Sequence, residues 1–253
     1  MQNKFNSRGQ ITIFIILAIV IVIGIIAYFY LYQAPTVAPT PEYAATYIEQ
    51  CTKDVITAGL DKVLAGGGAV NPELYTVYGG VSYHELCYQY NYYDPCVNQH
   101  PMLMEYAQSE LKNNTEGKIA ECFSNYISEL EDQGYDVQEG NLNYSIKIVS
   151  DKVLVSIKKK LDVKKESSAS FDDFSFEISS PIYGLIEMAR RVINSEAEIC
   201  SFDERNVLTL YPQYSIDPPQ TSGEKSKLYI VEHRNSGKQF KFAVRGCVVP
   251  PQI

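Results

Sequence analysis

The side chains best suited to chemistry gather between Tyr75 and His100: two histidines, two cysteines, Glu85, Asp94 and a run of tyrosines. His84-Glu85 begins like the HExxH helix of a zinc protease, but the second histidine is missing. Without an i, i+4 histidine pair no two-nitrogen ligand set forms on one helix face. His84 and His100 flank the short segment from Cys87 to Cys96 and could meet there, with Glu85 or Asp94, to hold a metal. Ordinary surface histidines are the plainer reading, so neither a metal nor a cofactor is expected. The remaining histidine is His233. No GxSxG marks a hydrolase elbow, and Gly66-Gly67-Gly68 lacks the lysine of a phosphate-cradling loop. The carboxylate pairs Asp172-Asp173, Glu131-Asp132 and Asp203-Glu204 are neighbours in sequence, and nothing sets them across a cleft. An extracytoplasmic enzyme is therefore the weakest of the functional expectations.

Tyrosine is the more informative residue, with 20 of them and no tryptophan. Its ring is large, stiff and amphipathic, and ordering it costs little entropy, so binding surfaces favour it. Tyr83, His84, Tyr88, Tyr90, Tyr92 and Tyr93 form the candidate binding set, suited to a cell-surface protein or a glycan. Packing of the same tyrosines onto neighbouring helices is the alternative.

The six cysteines permit 15 pairings. The expected elements favour three bonds: Cys87–Cys96 closing the tyrosine segment, Cys51–Cys122 joining two helices, and Cys200–Cys247 joining the C-terminal elements. Each would contribute about 2–4 kcal/mol by restricting the unfolded chain. No CxxC suggests zinc instead.

These residues all follow an uncharged apolar run, Ile11–Tyr32, of 22 residues. As a helix it would rise about 33 Å, enough to span a hydrocarbon core of about 30 Å. Lys4 and Arg8 precede it and the next cation is Lys53, which predicts a cytoplasmic N-terminus and an external C-terminal part. Tyr28, Phe29, Tyr30 and Tyr32 suit the outer interface. The chain then divides into a cytoplasmic tail (1–10), a transmembrane helix in membrane lipid (11–32), a Pro/Thr/Ala linker (33–41) and an extracytoplasmic domain (42–253). Outside the cell, disulfides are the default. Asn113 and Asn143 begin N-glycosylation sequons. All 30 acidic residues and all but two of the 22 basic ones follow the apolar run. An acidic domain of this kind is unsuited to nucleic acid.

The external part reads as a single α+β domain. Helical periodicity covers Glu42–Leu64, with Ala45, Ile48, Val55, Ala58 and Val63 inward and the triple glycine as its stop. Asn71–His100 reads as an irregular aromatic loop. Helix returns over Pro101–Gln133, with a polar break at Asn113–Gly117. Tyr144–Val149 and Val153–Lys158 predict a hairpin, with Lys158–Lys160 as solvated edge-strand lysines. Phe174–Ile178 predicts a strand and Pro181–Ala197 a helix. Val207–Leu210 continues the strand pattern, and Leu228–Glu232 and Phe240–Val244 form a hairpin around Asn235-Ser236-Gly237.

Arg8-Gly9-Gln10, followed at once by the apolar helix, resembles the class III signal peptide of archaeal pilin-like proteins. The resemblance covers about the first 30 residues and implies cleavage between Gly9 and Gln10 by a prepilin-type peptidase. Type IV pilins carry a glutamate at the fifth mature position, where this chain has Phe14. The broader pattern of anchor, cysteine-bearing helices, aromatic loop and two hairpins is similar to uncharacterised membrane-anchored proteins of archaea. It implies location and architecture without an activity. A membrane-anchored binding or cell-surface interaction protein is the first expectation, and a pilin-like filament subunit the second.

Overall fold

The computed structural model describes residues 16–25, 40–91, 93–217, 220–222 and 226–247. The chain forms two compact units, Met1–Ala38 and Pro39–Ile253. In the first, residues 16–25 are helical, and every one of them is exposed. The rest of the expected span Ile11–Tyr32, the Gly9-Gln10 cut and most of the linker lie outside the described residues. Among the described residues no helix is long and apolar enough to cross a membrane.

The second unit is a mixed α+β domain with three disulfides. A single 3-10 turn, Pro41–Tyr43, leads into α1 (Ala44–Ala65). The buried stripe of α1 runs Ala44, Ile48, Thr52, Ile56, Leu60, Val63. Ala45 and Ala58, expected inward, are exposed. The stripe passes through Thr52, a polar residue that a hydrophobicity pattern skips. Gly66 and Gly68 donate to Lys62 O and Val63 O and so close the helix.

Helix α2 (Leu103–Asp132) is unbroken across the expected polar interruption. Thr115 sits there fully buried, its hydroxyl 2.7 Å from Leu111 O and 2.9 Å from the Tyr144 hydroxyl. A Cβ on Gly59 would lie 2.7 Å from Thr115 Cγ2, so the glycine lets the two helices approach closely. Gly59 meets Thr115 and Cys51 meets Cys122, which makes the pair antiparallel.

Two sheets complete the unit. The first contains β1 (Tyr75–Tyr78), β2 (Val81–Tyr88), β3 (Val97–Asn98), β9 (Tyr214–Ile216), β10 (Gln220–Ser222), β11 (Ser226–His233) and β12 (Lys238–Arg245). Its order is β1-β2-β12-β11-β10, with β3 on β2 and β9 on β11. Every pairing is antiparallel except β2 with β12. The second contains β4 (Asp136–Glu139), β5 (Asn143–Val149), β6 (Lys152–Lys164), β7 (Ser168–Asp173) and β8 (Phe176–Ser179), all paired to the long β6.

Three expectations are corrected here. Asn71–His100 is not an irregular loop, because β1 and β2 form a hairpin through Gly79 and Gly80, both at positive φ. Lys158–Lys160 do not lie on an edge strand, since β6 is flanked on both sides. Val207–Leu210 lies in a short helix, α4 (Glu204–Leu210), which follows α3 (Ile182–Ile199).

One core joins both sheets to α1, α2 and α3. Phe240 and Phe242 of β12, Tyr229 of β11 and Phe123 and Tyr126 of α2 are among its largest fully buried side chains. Burying each such ring is worth about 1.5–3 kcal/mol or more.

Candidate functional site

The disulfides pair Cys51 with Cys122, Cys87 with Cys96 and Cys200 with Cys247, as the spacing of the elements favoured. The second bond closes the loop that follows β2. Backbone bonds fasten the same loop to the end of β12: Gln89 N–H to Arg245 O at 2.8 Å, and Cys247 N–H to Asp94 O at 3.0 Å. A Cβ on Gly246 would lie 2.7 Å from that of Cys96, so the two backbones run in contact.

The predicted binding residues divide. Tyr90 and Tyr93 are 77% and 57% exposed on this fastened loop, and Val97 beside them is exposed as well. Tyr88 is half-buried with the Arg245 guanidinium 5.3 Å from its ring centroid. Tyr92 lies outside the described residues. Tyr83 and His84 are buried and stand apart from the exposed rings of the loop. Tyr83 is 7% exposed and packs with Leu228 and Ala243 on one face of the sheet, while His84 turns to the other. A second exposed group, Tyr75, Val77, Tyr78 and Val81, occupies the hairpin end of β2. The seven residue steps of β2 from Val81 to Tyr88 put the turn end of this group roughly 23 Å from the loop.

His84 and His100 do come together. Their rings lie edge to face with centroids 5.0 Å apart, and His100 stacks on Tyr106 of α2 at 3.9 Å and 23°. His84 is 2% exposed, and its Nδ1 is 3.0 Å from Gly67 O in the turn that ends α1. Burial lowers its pKa to about 4, with the Gly67 bond opposing and His100 adding to the shift. Burial also lowers His100, opposed by the Glu110 charge. The Tyr106 phenol is raised by burial, then by Glu110 and Glu73. These groups line a cavity of about 420 Å³ with Asn71, Leu74, Glu85 and Gln99.

The expected carboxylate partners are occupied elsewhere. Glu85 accepts from the Ser226 hydroxyl at 2.8 Å, and Asp94 accepts from the Asn91 side chain at 3.3 Å. Among the described residues no group of three His, Cys, Asp or Glu is placed to hold a metal ion.

One constellation escaped the sequence reading. Glu196 of α3 is 1% exposed, accepts from the Tyr229 hydroxyl, and pairs with Lys227 Nζ at 2.6 Å. Lys227 also donates to Cys200 O at 3.0 Å, so this network and the Cys200–Cys247 bond secure the same helix end. The only sequence signal was a glutamate in the apolar stripe of α3, one turn after Ile193. Of the two sequons, Asn113 is exposed in mid-helix while its Thr115 is buried, and Asn143 and Ser145 are both exposed on β5.

No protein-family model, curated protein or solved structure matches the chain.

Proposed function

We propose that the chain is a membrane-anchored, extracytoplasmic interaction protein whose contact surface is the disulfide loop after β2. The observation that carries this reading is the exposure of Tyr90 and Tyr93 on a backbone closed by Cys87–Cys96 and fastened to β12. Aromatic rings held on a stiff backbone lose little entropy when a partner covers them. The partner would be a cell-surface protein or a glycan. Anchorage rests on the apolar run Ile11–Tyr32 and on Lys4 and Arg8 before it. The described helix 16–25, apolar on every side and exposed on every side, is of the kind that lipid stabilises and water does not. Three disulfides fit an oxidising compartment.

Chemical cross-linking in native membranes, repeated with Tyr90→Ala/Tyr93→Ala, tests the contact surface. Partner adducts should fall several-fold while the thermal midpoint stays unchanged. Undiminished adducts would remove the loop from the interface.

A second reading, a pilin-like filament subunit, rests on Arg8-Gly9-Gln10 ahead of the apolar run. The mass of the N-terminal peptide separates the two. A mature chain beginning at Gln10 and recovered in sheared filaments would favour the filament, and an intact Met1 the static anchor.

A further inference from the structure

The cavity at His84 is lined by an imidazole that has one nitrogen with unused hydrogen-bonding capacity. A carbonyl oxygen can only accept, so the bond to Gly67 O places the His84 proton on Nδ1. The ring is neutral at physiological pH, which leaves a lone pair on Nε2. No hydrogen bond reaches that nitrogen among the described residues, and the side chain is 2% exposed and lines the cavity. Around it, Glu110 spends one carboxylate oxygen on Val70 N–H at 3.0 Å and keeps the other. Glu73 stands exposed at the rim. Both carboxylates act on the Tyr106 phenol, which places their charge beside the His100–Tyr106 stack.

The chemistry of this lining selects its occupant. No lysine or arginine is among the described lining residues, so an anion would meet three glutamates, Glu73, Glu85 and Glu110, and no compensating charge. An apolar molecule would desolvate those carboxylates without replacing their hydrogen bonds. A transition metal lacks a third convergent ligand. A nitrogen cation satisfies every group: its N–H bonds go to carboxylate and imidazole acceptors, and its charge lies near aromatic faces.

We propose that this cavity binds the ammonium or guanidinium group of an organic cation. Glu110 and Glu73 supply the counter-charge, His84 Nε2 the unpaired acceptor, and the His100–Tyr106 stack the π-face. The head group can belong to a free alkylamine or to an arginine or lysine side chain of another polypeptide. The inference is independent of the loop surface, because Tyr90 and Tyr93 do not line the cavity.

The test is calorimetric titration of the full chain in detergent micelles at pH 7, first with agmatine and then with acetyl-Gly-Arg-Gly-amide. Saturable binding of agmatine is expected, weakened about tenfold or more by Glu110→Gln and by His84→Asn. The new glutamine can still accept from Val70 N–H, and the new asparagine can still donate to Gly67 O. Should either variant fail to fold, Glu73→Gln at the exposed rim still reports, with an expected loss of about threefold. Tripeptide binding with the same sensitivity identifies the source as a protein side chain; agmatine binding alone identifies a free amine. Absence of saturable binding by both probes at millimolar concentration overturns the proposal. Binding that all three folded variants retain unchanged overturns it too.

Discussion

The two sheets of the second unit are built on different principles. In the five-stranded sheet, β5 alternates exposed and buried positions along its length, and β6 alternates at both ends. Its inward side chains are Tyr144, Ile146, Ile148, Val153, Val155 and Ile157, and no disulfide enters it. In the seven-stranded sheet, β2 buries five consecutive residues, two of which are His84 and Glu85. Two disulfides, a bulge opposite Ala243–Val244 and the Glu196–Lys227–Tyr229 network hold that region. A sheet with one apolar face is specified by pattern alone. A sheet buried on both faces that encloses polar groups needs each of them matched to a partner.

The largest blow to this contrast comes from Glu196→Ala. It leaves the Lys227 ammonium and the Tyr229 hydroxyl without their acceptor in a buried site, and a loss of about 3–5 kcal/mol is expected in denaturant melts. A change below about 1 kcal/mol would show that the network is incidental.

Acid should act next, and selectively on the seven-stranded side. The folded-state pKa of His84, about 4, lies below its ordinary value of 6.5. Between those values the unfolded chain binds a proton that the folded chain refuses. This contribution is therefore level above pH 6.5 and falls as pH drops towards 4, by on the order of 3 kcal/mol in all. His100 shifts in the same direction. Glu110, Glu73, Glu85, whose carboxyl pKa is raised by burial, and the Tyr106 phenol are the other titratable groups around the pair. Urea midpoints at pH 7 and pH 4.5 should converge for His84→Asn relative to the parent chain.

Smaller still is the effect of Cys87→Ser/Cys96→Ser. Opening a loop of 9 residues should cost about 2–3 kcal/mol. Hydrogen exchange should quicken at Gln89 and Cys247 while β5 and β6 stay protected. Uniform acceleration across both sheets would erase the distinction. At the bottom, Ile157→Val in the five-stranded sheet removes one buried methylene and should cost about 1 kcal/mol with no pH dependence.

The same contrast explains what the sequence disclosed. The β5–β6 hairpin and the β11–β12 hairpin could be read from alternation and from the turn at Gly237. The disulfide pairs followed from which elements had to be neighbours. The strand Tyr75–Tyr78 was lost because four uncharged residues beside a double glycine look the same in a loop and in an edge strand. The face of α1 was misplaced by Thr52 and the continuity of α2 by Thr115, both polar by type and buried by packing. At the site, the meeting of His84 and His100 was visible from the cysteines between them. Tyr106 and Glu110 were not, because only the fold brings the first turns of α2 beside His84 of β2, and no local pattern announces it.

The parallel pairing of β2 with β12 sets an order of assembly. Its partners lie about 160 residues apart, and β12 sits between β2 and β11 rather than at an edge. While the chain is being made, the five-stranded sheet and its helix α2 can close as soon as β8 has emerged. The β1–β2 hairpin, with His84 and the loop of Tyr90 and Tyr93 already in place along the chain, must wait for the last strand. Until then its inner edge is open, so a chain truncated before Lys238 would expose that edge and be a substrate for chaperones and proteases.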